Sequence, residues 1–239
     1  MENKKEIINK YFDNIRKKNS KVDSFFAFLD NNEIHYAILG GFVRAALNDD
    51  SSPRDIDIIF KEKESHVENY LIQNNIAFKK NTFDGLKFNL NNLQFDVWKI
   101  EDHFAFRKKI YKPQFENIYK TTFLNYDSIM YDVTEQILYC KNYQNCIDKQ
   151  LIDFVGNRKL NKKNPNLELS ICKIFEICKN EKLLPSVKIK KYIKKYYDEY
   201  VTEKIFMNLL QSAYEDHYNK RMNKDLSCYI KRELKKIRY

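Results

Sequence analysis

The 239-residue chain has only four glycines and four prolines, so no Gly-rich or Pro-rich linker divides it, and no internal repeat or low-complexity segment is present. Its five cysteines, at 140, 146, 172, 178 and 228, are odd in number and form no Cys-x-x-Cys pair. Neither a disulfide framework nor a zinc knuckle is indicated, and reduced, partly buried thiols are expected. No apolar run approaches the roughly 20 residues that span a bilayer, and the first residues hold no unbroken apolar stretch of the signal-peptide kind. The expectation is a cytoplasmic protein without a membrane partner. The four histidines, at 35, 66, 103 and 217, lack metal-ligand spacing, and no Ser/His/Asp or Cys/His hydrolase pattern occurs.

What is present is a well-stocked core. Apolar residues make up 43%, with 17 Tyr and 17 Phe, enough to exclude wholesale disorder and the mini-protein class. The net charge of +10 is unevenly placed. Residues 1–155 carry 22 Lys and Arg against 23 Asp and Glu, a balance of −1, whereas 156–239 carry 21 against 10, a balance of +11. Clustered cations attract polyanions at long range, so the last third is a candidate nucleic-acid surface. A solvated helical face is the alternative reading of the same charge.

Residues 2–30 read as basic amphipathic helix, with Ile7, Ile8, Tyr11, Phe12 and Ile15 at helical spacing. Tyr36–Leu39 is a short apolar run ending at Gly40 and Gly41, after which Phe42, Val43, Ala46 and Leu47 suit one face of a brief helix. Asp55–Phe60 alternates as a strand, a polar helix follows from about Glu64 to Asn74, and further strands are expected at 85–90 and 93–100. From about residue 144 the pattern turns helical. Pro165 and Pro185 are placed to open helices, and 185–199, 202–218 and 224–238 are amphipathic, Tyr-rich and Lys-rich. The fold class expected is α+β, a mixed-sheet head over 1–145 followed by a basic α-helical domain over 146–239.

The chemistry concentrates where the glycines meet the next strand. Alternate strand residues point the same way, so Asp55 and Asp57 present two carboxylates about 7 Å apart on one face while Ile56 and Ile58 turn inward. Asp96 joins them if its strand pairs beside theirs. Such a cluster suits Mg²⁺, or Mn²⁺, which completes its oxygen shell with substrate phosphates. Gly40 and Gly41 let backbone approach phosphate closely at the start of a helix, and Arg44 and Arg54 stand ready to neutralise phosphate charge. A Gly-Gly alone is a turn, and an Asp-x-Asp alone is a solvated strand edge. The order strand, Gly-Gly, helix, Asp-x-Asp is what points to a nucleoside triphosphate.

Leu39-Gly-Gly-Phe-Val-Arg44 followed by Arg54-Asp-Ile-Asp-Ile58 resembles the head signature of the polymerase β-like nucleotidyltransferase superfamily, above all its CCA-adding enzymes and bacterial poly(A) polymerases. More weakly, Thr122–Asp132 resembles the family's segment ending in Phe-Thr-Ile-Asn-Ala and an apolar strand, and Asn164-Pro-Asn-Leu167 the start of its neck helices. The resemblance implies that Gly40 and Gly41 hold the triphosphate, that Asp55 and Asp57 bind the catalytic magnesium ions, and that Asp96 is the third carboxylate, beside the attacking hydroxyl. The chain departs from the family pattern at Ala45, where Asp is usual. It departs again at Tyr119-Lys-Thr121 and Lys163–Leu167, which replace the Arg-Arg-Asp and Glu-Asp-x-x-Arg base-reading motifs. The absence of these base-reading motifs argues against ordered CCA addition and leaves the choice of nucleotide open.

Trp98, the single tryptophan, falls on the Asp96 side of its strand, where it packs the core or stacks a base. His103 follows that strand and is a candidate to line the site. In the tail, Lys190, Lys191, Lys194 and Lys195, with Lys231, Arg232, Lys235 and Lys236, interleave with tyrosines as a candidate RNA surface. The reading is thus a metal-dependent transfer of NMP from an NTP to an RNA 3′ end. Modification of a protein or small molecule, as in toxin-like relatives, and an inactive RNA-binding relative are the alternatives.

Overall fold

The computed structural model describes residues 3–48, 53, 55–61, 64–81, 84–156, 166–200 and 202–238. The chain divides into two compact units. The first is Met1–Thr122 with Asp127–Lys141, and the second is Phe123–Tyr126 with Asn142–Tyr239.

In the first unit, helices α1 (Lys4–Lys18) and α2 (Ser20–Asn31) replace the single amphipathic stretch read from the sequence. Asn19 breaks the run: its backbone N–H donates to Arg16 O, closing α1, and its side chain accepts from Val22 N, opening α2. Arg16 then ties the pair together through Asp23 at 2.7 Å and Asp30 at 2.9 Å. Strand β1 (Tyr36–Leu39), helix α3 (Gly41–Leu47), strand β2 (Asp55–Phe60) and helix α4 (Glu64–Gln73) follow as expected. Next come β3 (Phe78–Lys80), β4 (Leu86–Leu90), β5 (Leu93–Lys99), the short helices α5 (Phe104–Arg107) and α6 (Phe115–Ile118), and strands β6 (Met130–Asp132) and β7 (Ile137–Tyr139).

These seven strands form one sheet in the order β3-β4-β5-β2-β1-β6-β7. Only β2 and β5 run parallel; every other neighbouring pair is antiparallel. One face is mainly apolar. Ile56, Ile58, Phe60, Leu86, Phe88, Phe95 and Val97 are buried there, and Phe25 of α2 packs edge-on to Phe88 at 5.2 Å and to Phe95 at 5.5 Å. The opposite face is divided along its length. Ala37, Ile59 and Met130 are covered by Ile100, Phe106, Phe115 and Ile118, with Trp98 packed against that cluster. Farther along the same strands the face carries half-buried carboxylates.

The second unit is helical around a two-stranded parallel pair, β8 (Leu151–Ile152) and β9 (Leu184–Pro185). Its helices are α7 (Lys141–Asp148), α8 (Leu167–Asn180), α9 (Val187–Tyr197), α10 (Glu203–Tyr218) and α11 (Lys224–Arg238). Helix α8 packs on α10 and α11, and α9 packs on α11. Pro165 lies outside the described residues. Pro185 does not open a helix: it is a strand residue, and Ser186 caps α9 by accepting from Ile189 N at 3.2 Å, because a hydroxyl at that position satisfies an amide that proline leaves unanswered. Cys146, Cys172 and Cys178 are buried, and burial pushes the Cys172 and Cys178 thiols up to about 12, which leaves them inert at neutral pH. Among the described residues no helix is long and apolar enough to cross a membrane.

Candidate active site

Strand pairing places the acidic residues. In the parallel β2/β5 ladder Asp57 stands directly opposite Asp96, and Asp55 opposite Gln94. Directly opposed residues share a face about 4.8 Å apart, so Asp55, Asp57 and Asp96 lie on one side of the sheet. Ile56 and Ile58, fully buried on the other side, hold that orientation, since a one-residue slip would bury both carboxylates and expose two isoleucines.

The glycine pair ends β1, itself bonded to β2 with Leu39 opposite Asp57. Gly40 sits at φ 55° and ψ −112°, a conformation that only glycine adopts without strain. Its N–H donates to Ile129 O at 2.9 Å, so that amide is committed to the fold rather than to a ligand. Gly41 is the one that meets the acids: a Cβ there would stand 3.6 Å from Asp55 Oδ1. Helix α3 is only seven residues long, so its dipole adds little to anion binding, and the side chain of Arg44 is the larger source of positive charge. Its guanidinium would lie 3.8 Å from a Cβ on Gly40, and its Nη1 is 3.2 Å from Asp127 Oδ1. Asp127 was not legible as this partner: it lies far along the chain and no local pattern marks it. Ala45, which stands where the resembled head signature has Asp, is buried. Arg54 lies outside the described residues.

Asp96 is held asymmetrically. Its Oδ2 accepts from Lys87 Nζ at 2.8 Å, whereas its Oδ1 is buried and has no hydrogen-bond partner. A buried, unsatisfied carboxylate oxygen costs free energy, and this one stands in the register position beside Asp57. Among the described residues no three His, Cys, Asp or Glu side chains are gathered tightly enough to enclose a cation unaided. Asp55, Asp57 and Asp96 are each half-buried on their shared face. Lys87 was legible in principle. The Asn91-Asn92 turn, with Asn91 at φ 54°, pairs Leu90 with Leu93 and thereby Lys87 with Asp96.

The remaining expectations divide. Trp98 packs against the apolar cluster. His103 caps α5, its Nδ1 accepting from Ala105 N at 3.3 Å. Its Nε2 is 3.3 Å from Thr121 Oγ1, which in turn donates to Ile118 O at 2.6 Å. That network fixes a neutral ring with its proton on Nε2, and burial lowers the pKa to about 4. Its folded pKa is below the ordinary value of about 6.5, so the unfolded chain takes up the proton first. Stability contributed by the neutral ring is therefore complete above about pH 6.5 and is lost as pH falls toward 4. Denaturant titrations across that window should show this loss, and His103→Gln should flatten it.

Tyr119, Lys120 and Thr121 are used structurally: Tyr119 stacks on Tyr139 at 5.7 Å, Lys120 Nζ donates to Asn117 Oδ1 at 2.9 Å, and Thr121 serves Ile118. Lys163, Asn164 and Pro165 lie outside the described residues. In the second unit, Lys190, Lys191, Lys194, Lys195, Lys231, Arg232, Lys235 and Lys236 are all exposed. Ile189, Ile193 and Tyr197 of α9, with Leu226, Ile230 and Leu234 of α11, face inward. The interleaved tyrosines serve the interior more than the surface, as Tyr192 against Phe154 at 5.2 Å illustrates.

No family model matches the chain, and no curated protein matches it in sequence. Solved structures do. A CCA-adding enzyme complexed with ATP superposes with a TM-score of 0.61 at 14% identity, over 89% of this chain and 49% of that one. The Thermotoga maritima CCA-adding enzyme complexed with tRNA gives 0.61 at 13% identity, over 90% and 50%. A tRNA nucleotidyltransferase complexed with a primer tRNA and an incoming ATP analogue gives 0.63 at 12%, over 90% and 60%. The chain thus spans about half the length of these proteins, and over that half it has the fold of the CCA-adding enzymes.

Proposed function

We propose that this chain is a metal-dependent nucleotidyltransferase that moves NMP from an NTP to an RNA 3′ end. In this reading the first unit is the catalytic head, and the second is a basic neck or tail that holds RNA. The observation that carries it is the row of Asp57 and Asp96, with Asp55 on the same face and against Gly41, in a fold shared with enzymes solved with ATP, CTP and tRNA.

The residues fit a divalent cation: the Asp96 Oδ1 is buried without a partner, and glycine at 41 keeps the approach to Asp55 clear. Asp55, Asp57 and Asp96 would hold Mg²⁺ or Mn²⁺, which supplies charge neutralisation on the triphosphate and lowers the pKa of the attacking hydroxyl. Gly41 admits the triphosphate where a side chain would obstruct it. Arg44, kept beside Gly40 and countered by Asp127, meets phosphate charge. Asp96 Oδ1 accepts the hydrogen bond of the acceptor hydroxyl and aims it. The hydroxyl oxygen bonds to the α-phosphorus, its proton passing to Asp96 Oδ1, as the bond from that phosphorus to the α–β bridging oxygen breaks and pyrophosphate leaves with the bridging oxygen.

Incubating the protein with each labelled NTP, Mg²⁺ and total RNA tests this. RNA lengthened at its 3′ end is the expected result, and sequencing those ends identifies acceptor, base and number added together. Label on protein or on small molecules would overturn the RNA assignment, and no label at all would overturn the enzyme.

A further inference from the structure

The acidic row does not end at Asp96. Across the next ladder Lys87 of β4 is opposite Asp96, and across the one after it Lys79 of β3 is opposite Lys87. Four neighbouring strands thus present Asp57, Asp96, Lys87 and Lys79 in register on one face, two acids followed by two bases. The Lys87–Asp96 ion pair fixes the side to which Lys87 points. The neighbour of Lys79 fixes the rest: Lys80 reaches Glu68 of α4, on the apolar, helix-covered side, at 2.8 Å, so by strand alternation Lys79 faces the acids' side. Both lysines are exposed. Like charges directly opposed on a sheet are destabilising, so this edge carries a cost that an anion lying across it would remove.

We propose that Lys87 and Lys79 form a track for the phosphodiester backbone of a single-stranded acceptor, leading its terminal hydroxyl to Asp96. The inference rests on the transferase reading and names its acceptor as a nucleic-acid strand. A hydroxyl at Asp96 has its own nucleotide's phosphate one sugar away and the preceding phosphate farther along. Strands about 4.8 Å apart place the two ammonium groups along that same direction. Lys87, half-exposed and held by one ion pair, exchanges the Asp96 carboxylate for a phosphate oxygen when the strand binds, leaving Asp96 to the hydroxyl. Neutral small molecules would gain nothing from such a row.

The test uses the full chain and a fluorescent, mixed-sequence RNA hexanucleotide, with 4-thiouridine next to its 3′ end for photocrosslinking. Crosslinks to the segment holding Lys79 and Lys87 are expected. In the double variant K79A/K87A the hexanucleotide should bind about tenfold more weakly, and the slope of log affinity against log salt should flatten by about 1.4, roughly 0.7 for each phosphate that a lysine no longer neutralises. Lys79→Glu, at an exposed edge position, should weaken binding at least as much as Lys79→Ala while the KM for NTP stays within about twofold. Crosslinks confined to the second unit, or hexanucleotide affinity unchanged in the double variant, would overturn the track. If the wild type transfers no nucleotide yet crosslinks and binds in this lysine-dependent way, the track stands and the transferase reading fails.

Discussion

Under the proposed function, Asp57→Asn should lower nucleotide transfer about a thousandfold, ~4 kcal/mol of transition-state stabilisation, and leave the fold intact. Asp55→Asn should do the same. Each substitution keeps the size of the side chain and removes one full negative charge from the face on which the proposed reaction needs a cation and a triphosphate held together. Folding stability should stay within about 1 kcal/mol of wild type, because neutralising Asp57 also relieves its repulsion with the carboxylate opposite, Asp96. The measurement is single-turnover transfer with labelled NTP, alongside thermal melts of each variant. Asp96→Asn is the informative third variant. It retains Oδ1 as an acceptor but weakens the tie to Lys87, so its loss should be smaller, on the order of a hundredfold, and should not be relieved by raising the NTP concentration. Transfer that survives at Asp55→Asn and Asp57→Asn would remove the catalytic assignment altogether.

The part of the site that was legible from the sequence is the part written in short-range patterns. Alternation of Asp with Ile in Asp55–Ile58, and of Leu93, Phe95 and Val97 with polar residues, specifies both the strands and their faces, because the wrong face would bury charge. The glycine pair marks its own turn, since Gly40 adopts a φ that other residues resist. Strands β3 and β7, of three residues each, and helices α5 and α6, of four, are too short to display a period and exist because the sheet and the apolar cluster hold them. Cross-strand partners were hidden for a different reason. Lys79 reaches the acidic row only through two successive ladders, and Asp127 reaches Arg44 from a distant segment, so neither has a local signature. The tail tyrosines show the converse: a basic-aromatic alternation that suits RNA on paper is, in the helices, largely an alternation of surface with interior.

The two glycines should separate folding from binding when each is replaced by alanine. At Gly40 a Cβ would meet Arg44 Nη1 at an ordinary contact distance of 3.8 Å, so crowding is no obstacle, but φ 55° with ψ −112° forces an L residue into strained backbone. Gly40→Ala should therefore destabilise the protein by about 1–3 kcal/mol. The turn could relax only by giving up the Gly40 N–H bond to Ile129 O, which ties β1 to β6 at the site. At Gly41 the backbone tolerates alanine and the new methyl would meet Asp55 Oδ1 at ordinary contact distance, 3.6 Å. Gly41→Ala should melt like the wild type, yet raise the KM for NTP at least tenfold, because a methyl group then occupies the gap through which phosphate reaches the carboxylate. Chemical denaturation and initial rates on the same two proteins check both halves. If Gly41→Ala binds NTP normally, the triphosphate does not enter beside Asp55. If Gly40→Ala is as stable as wild type, the strain assigned to that turn is absent, and the acids owe their exposure to the strand register alone.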